Sequence, residues 1–205
     1  KVLALAGGTG GAKLALGLAR VLPPEQLVIV VNTGDDECFH GLHVSPDLDT
    51  IMYTLAGLVN QEMGWGLVGD TFKALGMLRT YDVDTWFNLG DLDLATHVRR
   101  TQLLGQGLSL SQVTNELCRR LGVEHQVVPM SDGPVRTVLS TDGGDLPMQT
   151  YFVRNRSEPK VSSIAYVGAE SAEASPNFSA AMAEADLVVF CPSNPFLSVG
   201  PILAV

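Results

Sequence analysis

Positive charge is scarce in this sequence: 13 lysines and arginines stand against 22 aspartates and glutamates in 205 residues, a formal net charge of −9. So few cations, scattered along the chain, exclude an electrostatic grip on a phosphate backbone, and no nucleic acid partner is expected. Cysteine is equally sparse. Cys38, Cys118 and Cys191 lie far apart and form no CxxC pair, which excludes a disulfide framework and points to the reducing cytoplasm. Long hydrophobic runs are missing too. Segments such as 27–31 and 187–191 are strand-sized, far below the roughly 18 residues a membrane-spanning helix needs, so no membrane partner is expected. The opening residues 1–6 are followed at once by glycines, so they read as a strand rather than a signal peptide with its roughly 7–15 apolar residues. There is no Gly-Lys-Ser/Thr phosphate loop and no G-x-S-x-G elbow. Cys38, His40 and His43 offer at most three zinc ligands, and no second pair follows at finger spacing. The chain has no initiator methionine and ends on the apolar residues 201–205 without a cap, which predicts that sequence has been lost at the C-terminus.

What is present reads as an α/β protein. Residues 2–6 form a buried strand; Leu14, Leu18 and Val21 then recur at helical spacing until Pro23 and Pro24; residues 27–31 form a second apolar strand. A βαβ unit of this kind implies parallel strands with helices on both faces. The predicted fold is a Rossmann-like three-layer sandwich with a mostly parallel sheet, and residues 1–205 read as a single α/β domain. The pattern predicts a polar loop over 32–46 and a helix over 48–59 with Asp47 or Asp49 at its start. A helical insertion is expected at about 60–125, with helices over 71–78, 92–104 and 111–121. The β-rich segments 127–128, 135–139, 148–153 and 164–167 predict a small antiparallel excursion. A helix over 177–185 and a buried strand over 187–191 complete the order.

Two clusters could carry chemistry. Gly7-Gly8-Thr9-Gly10-Gly11-Ala12-Lys13 follows a strand and opens a helix, a place where backbone N–H groups and the helix dipole receive phosphate. Asn32-Thr33-Gly34-Asp35-Asp36-Glu37 follows the second strand, at the sheet edge where open α/β folds bind ligands, and Asp47 and Asp49 head the next helix. Carboxylates converging beside a phosphate loop suit Mg²⁺. Ser193 and Asn194 follow the last strand at the same edge, and Trp65, Trp86 and Phe87 could hold a planar ligand or pack a core. His97 and His125 are expected on helix surfaces, without a chemical role.

These motifs, together with His40-Gly41-Leu42-His43-Val44-Ser45-Pro46-Asp47-Leu48-Asp49-Thr50, Gly64-Trp65-Gly66, Gly69-Asp70-Thr71-Phe72, Trp86-Phe87-Asn88-Leu89-Gly90-Asp91, Tyr151-Phe152-Val153-Arg154 and Cys191-Pro192-Ser193-Asn194-Pro195, resemble the 2-phospho-L-lactate transferase family in order along nearly the whole chain. The resemblance implies transfer of a phospholactyl or phosphoenolpyruvyl group from a guanosine diphosphate-linked donor. The acceptor would be the ribityl hydroxyl of the deazaflavin precursor 7,8-didemethyl-8-hydroxy-5-deazariboflavin (Fo), with release of GMP, in the biosynthesis of coenzyme F-420. It implies a homodimer that uses Mg²⁺, with Asp35 and Asp49 as catalytic metal ligands. Asp49, Asn88, Asn32, Thr33 and His43 would lie on the acceptor side. Gly8, Thr9, Gly10, Gly11, Lys13, Ser193 and Asn194 would serve the nucleotide and its phosphates. A later glycine-rich segment of the family is absent here, and no motif selects between the two three-carbon acids. Two other readings compete. One is a related family of regulatory proteins that bind nucleotide sugars without transfer chemistry. The other is an NAD-dependent oxidoreductase, for which the third fingerprint glycine and the ribose-binding acid are missing.

Overall fold

The computed structural model describes residues 1–205. Strand Val2–Ala6 (β1) leads into helix Gly8–Val21 (α1) and strand Leu27–Val31 (β2). A hairpin of Glu37–Phe39 (β3) and Leu42–Val44 (β4) precedes helix Pro46–Leu55 (α2). Three helices follow, Lys73–Thr80 (α3), Asp91–Gly105 (α4) and Leu110–Arg120 (α5). Next come strands Gln126–Pro129 (β5), Arg136–Thr141 (β6) and Gly144–Pro147 (β7), the π-helical turn Thr150–Arg154, and strand Val161–Val167 (β8). Helix Pro176–Glu184 (α6), strand Leu187–Phe190 (β9), a second π-helical turn at Pro195–Val199 and helix Gly200–Leu203 (α7) end the chain.

The central sheet is parallel, in the order β5-β2-β1-β9. Because successive side chains of a strand point to opposite faces, one apolar strand supplies two cores. Ala4, Ala6, Ile29, Val31 and Val127 meet Ala12 and Ala15 of α1, Ile51 and Met52 of α2, and Val113 and Leu117 of α5. Leu3, Leu5, Val28, Val30 and Val128 meet Phe178 and Ala181 of α6 and Ile202 of α7. The result is the expected three-layer α/β arrangement with a mostly parallel sheet, accompanied by a small antiparallel sheet of order β7-β6-β8. No helix is long and apolar enough to cross a membrane.

Five local expectations are corrected. Residues 127–128 belong to the parallel sheet rather than the antiparallel excursion: each valine is buried on a different face, and α5 is the crossover helix that returns the chain beside β2. Residues 148–153 form no strand, because β7 stops at Pro147, which has no N–H for a ladder, and a π-helical turn follows. Residues 32–46 are not all loop. A hairpin forms there because His40 and Gly41 both adopt positive φ, 52° and 79°, as a tight two-residue turn requires. Strand β9 is not fully buried: it edges the sheet, and Leu187 and Phe190 are exposed. Helix α2 also ends earlier than its apolar spacing suggests, because Gly57 takes φ 72° and ends it with a left-handed cap.

A reciprocal clasp sets the position of α4. The N–H groups of Lys73 and Ala74 at the start of α3 donate to the Asp91 carboxylate at 3.0 and 2.9 Å. Those of Leu92 and Asp93 at the start of α4 donate to Asp70 at 2.8 and 3.1 Å. Each helix thus caps the other, and negative charge sits at both N-termini, where the helix dipole favours it. Glycine at position 90 leaves room for the Asp70 carboxylate, which a Cβ there would displace. Gly90→Ala is expected to push Asp70 off α4 and destabilise the protein by about 1–2 kcal/mol. Gly17→Ala, at a mid-helix position with open space around it, should stabilise by about 0.4–1 kcal/mol. Urea midpoints of the two variants check the pair, and equal shifts would contradict it.

Candidate functional site

The loops after β1, β2 and β9 leave the carboxyl edge of the sheet together, where the chain runs to opposite sides of β1, the usual place for a ligand crevice. They border a cavity of about 440 Å³, a size that suits a small organic ligand. Its polar wall comes from Gly7 to Gly10, Asp35, Asp47, Asp49, Ser193, Asn194 and Ser198; its apolar wall includes Tyr53, Trp65, Phe87, Met148 and Phe152. The Thr9 hydroxyl donates to the Gly64 carbonyl at 3.1 Å, so the first turn of α1 anchors the loop that carries Trp65. Phe87 is stacked on Phe39, their rings 4.0 Å apart and 6° from parallel, which stiffens the apolar wall.

Asp35, Asp47 and Asp49 are all buried, and each is held by different donors. Asp35 accepts from Asn32 Nδ2 at 3.1 Å and from Gln149 Nε2 at 3.0 Å. Asp47 accepts from the Gly8 N–H at 2.7 Å and from Asn32 Nδ2 at 2.9 Å. Asp49 is bound through both oxygens by the Arg100 guanidinium. Burial, reinforced by the nearby charges of Asp47 and Asp36, holds the Asp35 carboxyl well above its ordinary range. Burial pushes Asp47 up to about 6 against the hydrogen bonds that favour its ionised form. Asp49 is also raised by burial, which outweighs the pull of Arg100 and His97.

Behind Asp49 lies a second buried cluster on α4. His97 and Arg100 are each 1% exposed. Arg100 Nη1 donates to His97 Nδ1 at 3.2 Å, an assignment that leaves the imidazole proton on Nε2, 3.1 Å from Asp93 Oδ2. Tyr53 donates to Asp93 Oδ1 at 2.7 Å, and burial raises its phenol. Oxygen and nitrogen atoms of Asp49, Asp93 and His97 lie within 4.8 Å of one another, a ligand-like grouping that Arg100 already supplies with a cation. The rim around Asp35 has no such resident charge. The cavity wall carries Asp35, Asp47, Asp49 and Asp93 and no lysine or arginine, and Asp36 beside them keeps a buried Oδ1 without a partner. Carboxylate oxygens are the donors a hard divalent cation such as Mg²⁺ takes, and the three ligand atoms gathered within 4.8 Å of one another are those of Asp49, Asp93 and His97.

Of the residues singled out in the sequence, Asp35, Asp49, Asn88, Gly8, Thr9, Gly10, Ser193 and Asn194 line this one cavity, and Asn32, Thr33, His43, Gly11 and Lys13 do not. Asn32 is buried beneath it, tying Asp35 to Asp47 while its Oδ1 accepts from Gly34 N–H at 2.8 Å. Thr33 is buried nearby. His43 Nε2 sits 3.0 Å from Asp36 Oδ2. Gly11 packs against Ala6 and the Ser193 hydroxyl, and Lys13 lies on the exposed side of α1. Ser193 and Asn194 spend their side chains on backbone: Ser193 Oγ donates to Gly7 O at 2.8 Å, and Asn194 accepts from Phe196 and Leu197 N–H at 3.0 and 2.9 Å. Gly10 faces the Pro192 carbonyl, into which any Cβ would drive, so its glycine serves close loop packing. His97, expected on a helix surface, is instead buried in the site beside Asp93 and Arg100, to which the sequence motifs assigned no role. Their spacing, 93, 97 and 100, places all three on one helical face, a detectable signal. Gln149 reaches Asp35 from 114 residues away and has no local signal.

Residues 2–205 match the family model described as 2-phospho-L-lactate transferase CofD. The chain is 46% identical over 210 residues to a phosphoenolpyruvate transferase of Streptomyces avermitilis, covering 100% of this chain and 66% of that protein. It is 40% identical over 200 residues to a 2-phospho-L-lactate transferase of Methanospirillum hungatei JF-1, covering 98% and 67% respectively. It thus spans about two thirds of the length of these curated relatives. Among solved structures, a UPF0052-family protein of Bacillus halodurans superimposes with a TM-score of 0.67 at 16% identity, over 100% of this chain and 62% of that one. That likeness concerns the fold alone.

Two outcomes are expected from the buried charges. Arg100→Met should cost about 3–5 kcal/mol, because Asp49 is left buried without its counter-charge; a urea midpoint within error of wild type would contradict this. In the folded chain Asp35, Asp47 and Asp49 keep protons that the unfolded chain releases near the ordinary carboxylate value of 3.8, and Asp47 keeps its own to about 6. The metal-free protein should therefore lose stability as pH rises from about 4 through about 6, the sign that applies when the native state binds more protons. Denaturation in EDTA at pH 5 and pH 8 checks this. Added Mg²⁺ should restore the midpoint at pH 8.

Proposed function

The chain belongs to the 2-phospho-L-lactate transferase CofD family, and from that premise we propose that it transfers a phospholactyl or phosphoenolpyruvyl group from a guanosine diphosphate-linked donor to the ribityl hydroxyl of Fo, releasing GMP, in coenzyme F-420 biosynthesis. The observation that carries the reading is a single cavity lined by buried carboxylates, of which Asp35 and Asp47 have no cationic partner, and by aromatic side chains. It is a site for a charged phosphate beside a flat ring system.

Transfer of this kind forms a bond from the acceptor oxygen to the acid-bearing phosphorus, breaks the phosphoanhydride to GMP and releases the hydroxyl proton. Little covalent work falls to the protein, and positioning with charge compensation is enough. Asp35 and Asp49 would hold Mg²⁺, which supplies charge neutralisation on the diphosphate when bound. Arg100 fixes the plane of the Asp49 carboxylate, and Gln149 and Asn32 fix that of Asp35. Phe87 and Trp65 flank the space for the tricycle, with Asn88 beside them. The hydroxyl proton would pass to a nearby carboxylate of the cavity wall. The three unpaired cysteines agree with a cytoplasmic enzyme, and the proposed assembly is a homodimer.

The test offers both guanylated donors, Fo and Mg²⁺ to the full-length protein and weighs the product. A conjugate formed in step with GMP is the expected result, and the preferred donor identifies the three-carbon acid. Asp49→Asn should lower kcat by about 100-fold or more. Near-normal turnover of that variant at saturating Mg²⁺ removes Asp49 from the metal role.

A further inference from the structure

We propose that Asp47 makes the phosphate seat at the head of α1 accept a diphosphate only as its divalent-cation complex. The inference rests on the diphosphate-linked donor of the proposed reaction and goes beyond it by assigning the selecting residue. A helix N-terminus after a glycine turn ordinarily offers free amides and about half a positive charge to an anion. Here the first of those amides is already engaged: Gly8 N–H donates to Asp47 Oδ1 at 2.7 Å. The other carboxylate oxygen is held by Asn32 Nδ2 at 2.9 Å. Asp47 is 7% exposed, so neither water nor rotation removes its charge from the seat.

The glycine turn is built around this carboxylate. A Cβ at Gly7 would fall 2.5 Å from Asp47 Oδ2 and 2.6 Å from Ser198 Cβ, so the missing side chain is required by the approach of Asp47. The positive end of α1 is therefore offset by a resident negative charge. Nothing else on the wall makes up the difference, because Asp35, Asp49 and Asp93 share the cavity and no lysine or arginine lines it. Arg100 is bonded to Asp49, and Lys13 is exposed. A bare diphosphate would thus meet the buried Asp47 carboxylate, which has no cationic partner, at low dielectric, where repulsion is strong. A divalent cation reverses that sign. Asp47 works through the Gly8 amide and the local field and is a positioning residue.

The test is calorimetric titration of the full-length protein with GDP and with inorganic pyrophosphate, each in EDTA and in Mg²⁺, for wild type, Asp47→Asn and Asp47→Ser. Wild type should bind pyrophosphate at least 100-fold more weakly in EDTA than in Mg²⁺. The variants should gain at least tenfold in metal-free affinity while their affinity in Mg²⁺ stays level or drops, an opposite response that general loosening of the site would not produce. Wild-type binding in EDTA within threefold of that in Mg²⁺, or unchanged metal-free affinity in both variants, overturns the proposal, as does failure of every form to bind either probe. Should one variant fail to fold, the other and the wild-type comparison still decide. If GDP binds no tighter than pyrophosphate in Mg²⁺ while the Asp47 effect holds, the guanylated donor is the part that falls.

Discussion

Burying Asp35, Asp47 and Asp49 against one sheet edge is the constraint to which the surrounding structure answers. An ionised carboxylate taken out of water needs hydrogen bonds or a counter-charge, or it takes up a proton. Each of the three is served differently. Asp47 and Asp49 lie in the first turn of α2, where the helix dipole favours negative charge. Asn32, fully buried at the end of β2, links Asp35 to Asp47 and turns its own carbonyl to Gly34. Asp49 alone has a full cation, Arg100.

This unequal provision separates two kinds of polar interior. Around Asp49, Asp93, His97, Arg100 and Tyr53 the carboxylates have charged or hydrogen-bonding partners, although Arg100 Nε and His97 Nε2 keep no hydrogen-bond partner, and the cluster reaches the cavity through α4. Around Asp35, Asp36 and Asp47 negative charge exceeds what the protein supplies. Such an imbalance costs stability in the free protein and is commonly found where a ligand contributes the missing charge. The clasp made by Asp70 and Asp91 lies at the surface rather than in the interior, and it holds α4, and with it Arg100, beside Asp49.

Much of this was legible in the linear pattern. Uniform apolar runs at 2–6 and 27–31 with a glycine turn between them could only be parallel strands covered on both faces, since no other arrangement hides both sets of side chains. The acids at 35, 47 and 49 stood out because they follow a strand or open a helix at the ligand-binding edge. Less visible was the strand at 126–129, too short to distinguish by composition from the antiparallel segments after it. The hairpin at 37–44 was hidden because two strands of three residues leave too little alternation to detect.

The sequence by itself determined the layer order and the edge of the sheet at which polar loops gather, because periodicity and glycine placement act over a few neighbouring residues. It also marked the charged groups that had to be accommodated. Only the tertiary structure decided how: that Asp47 takes the Gly8 amide, that Arg100 takes Asp49, and that Gln149 comes from 114 positions away to Asp35. Those choices depend on distances between segments remote in the chain, set by packing on both faces of the sheet, and no local pattern encodes them.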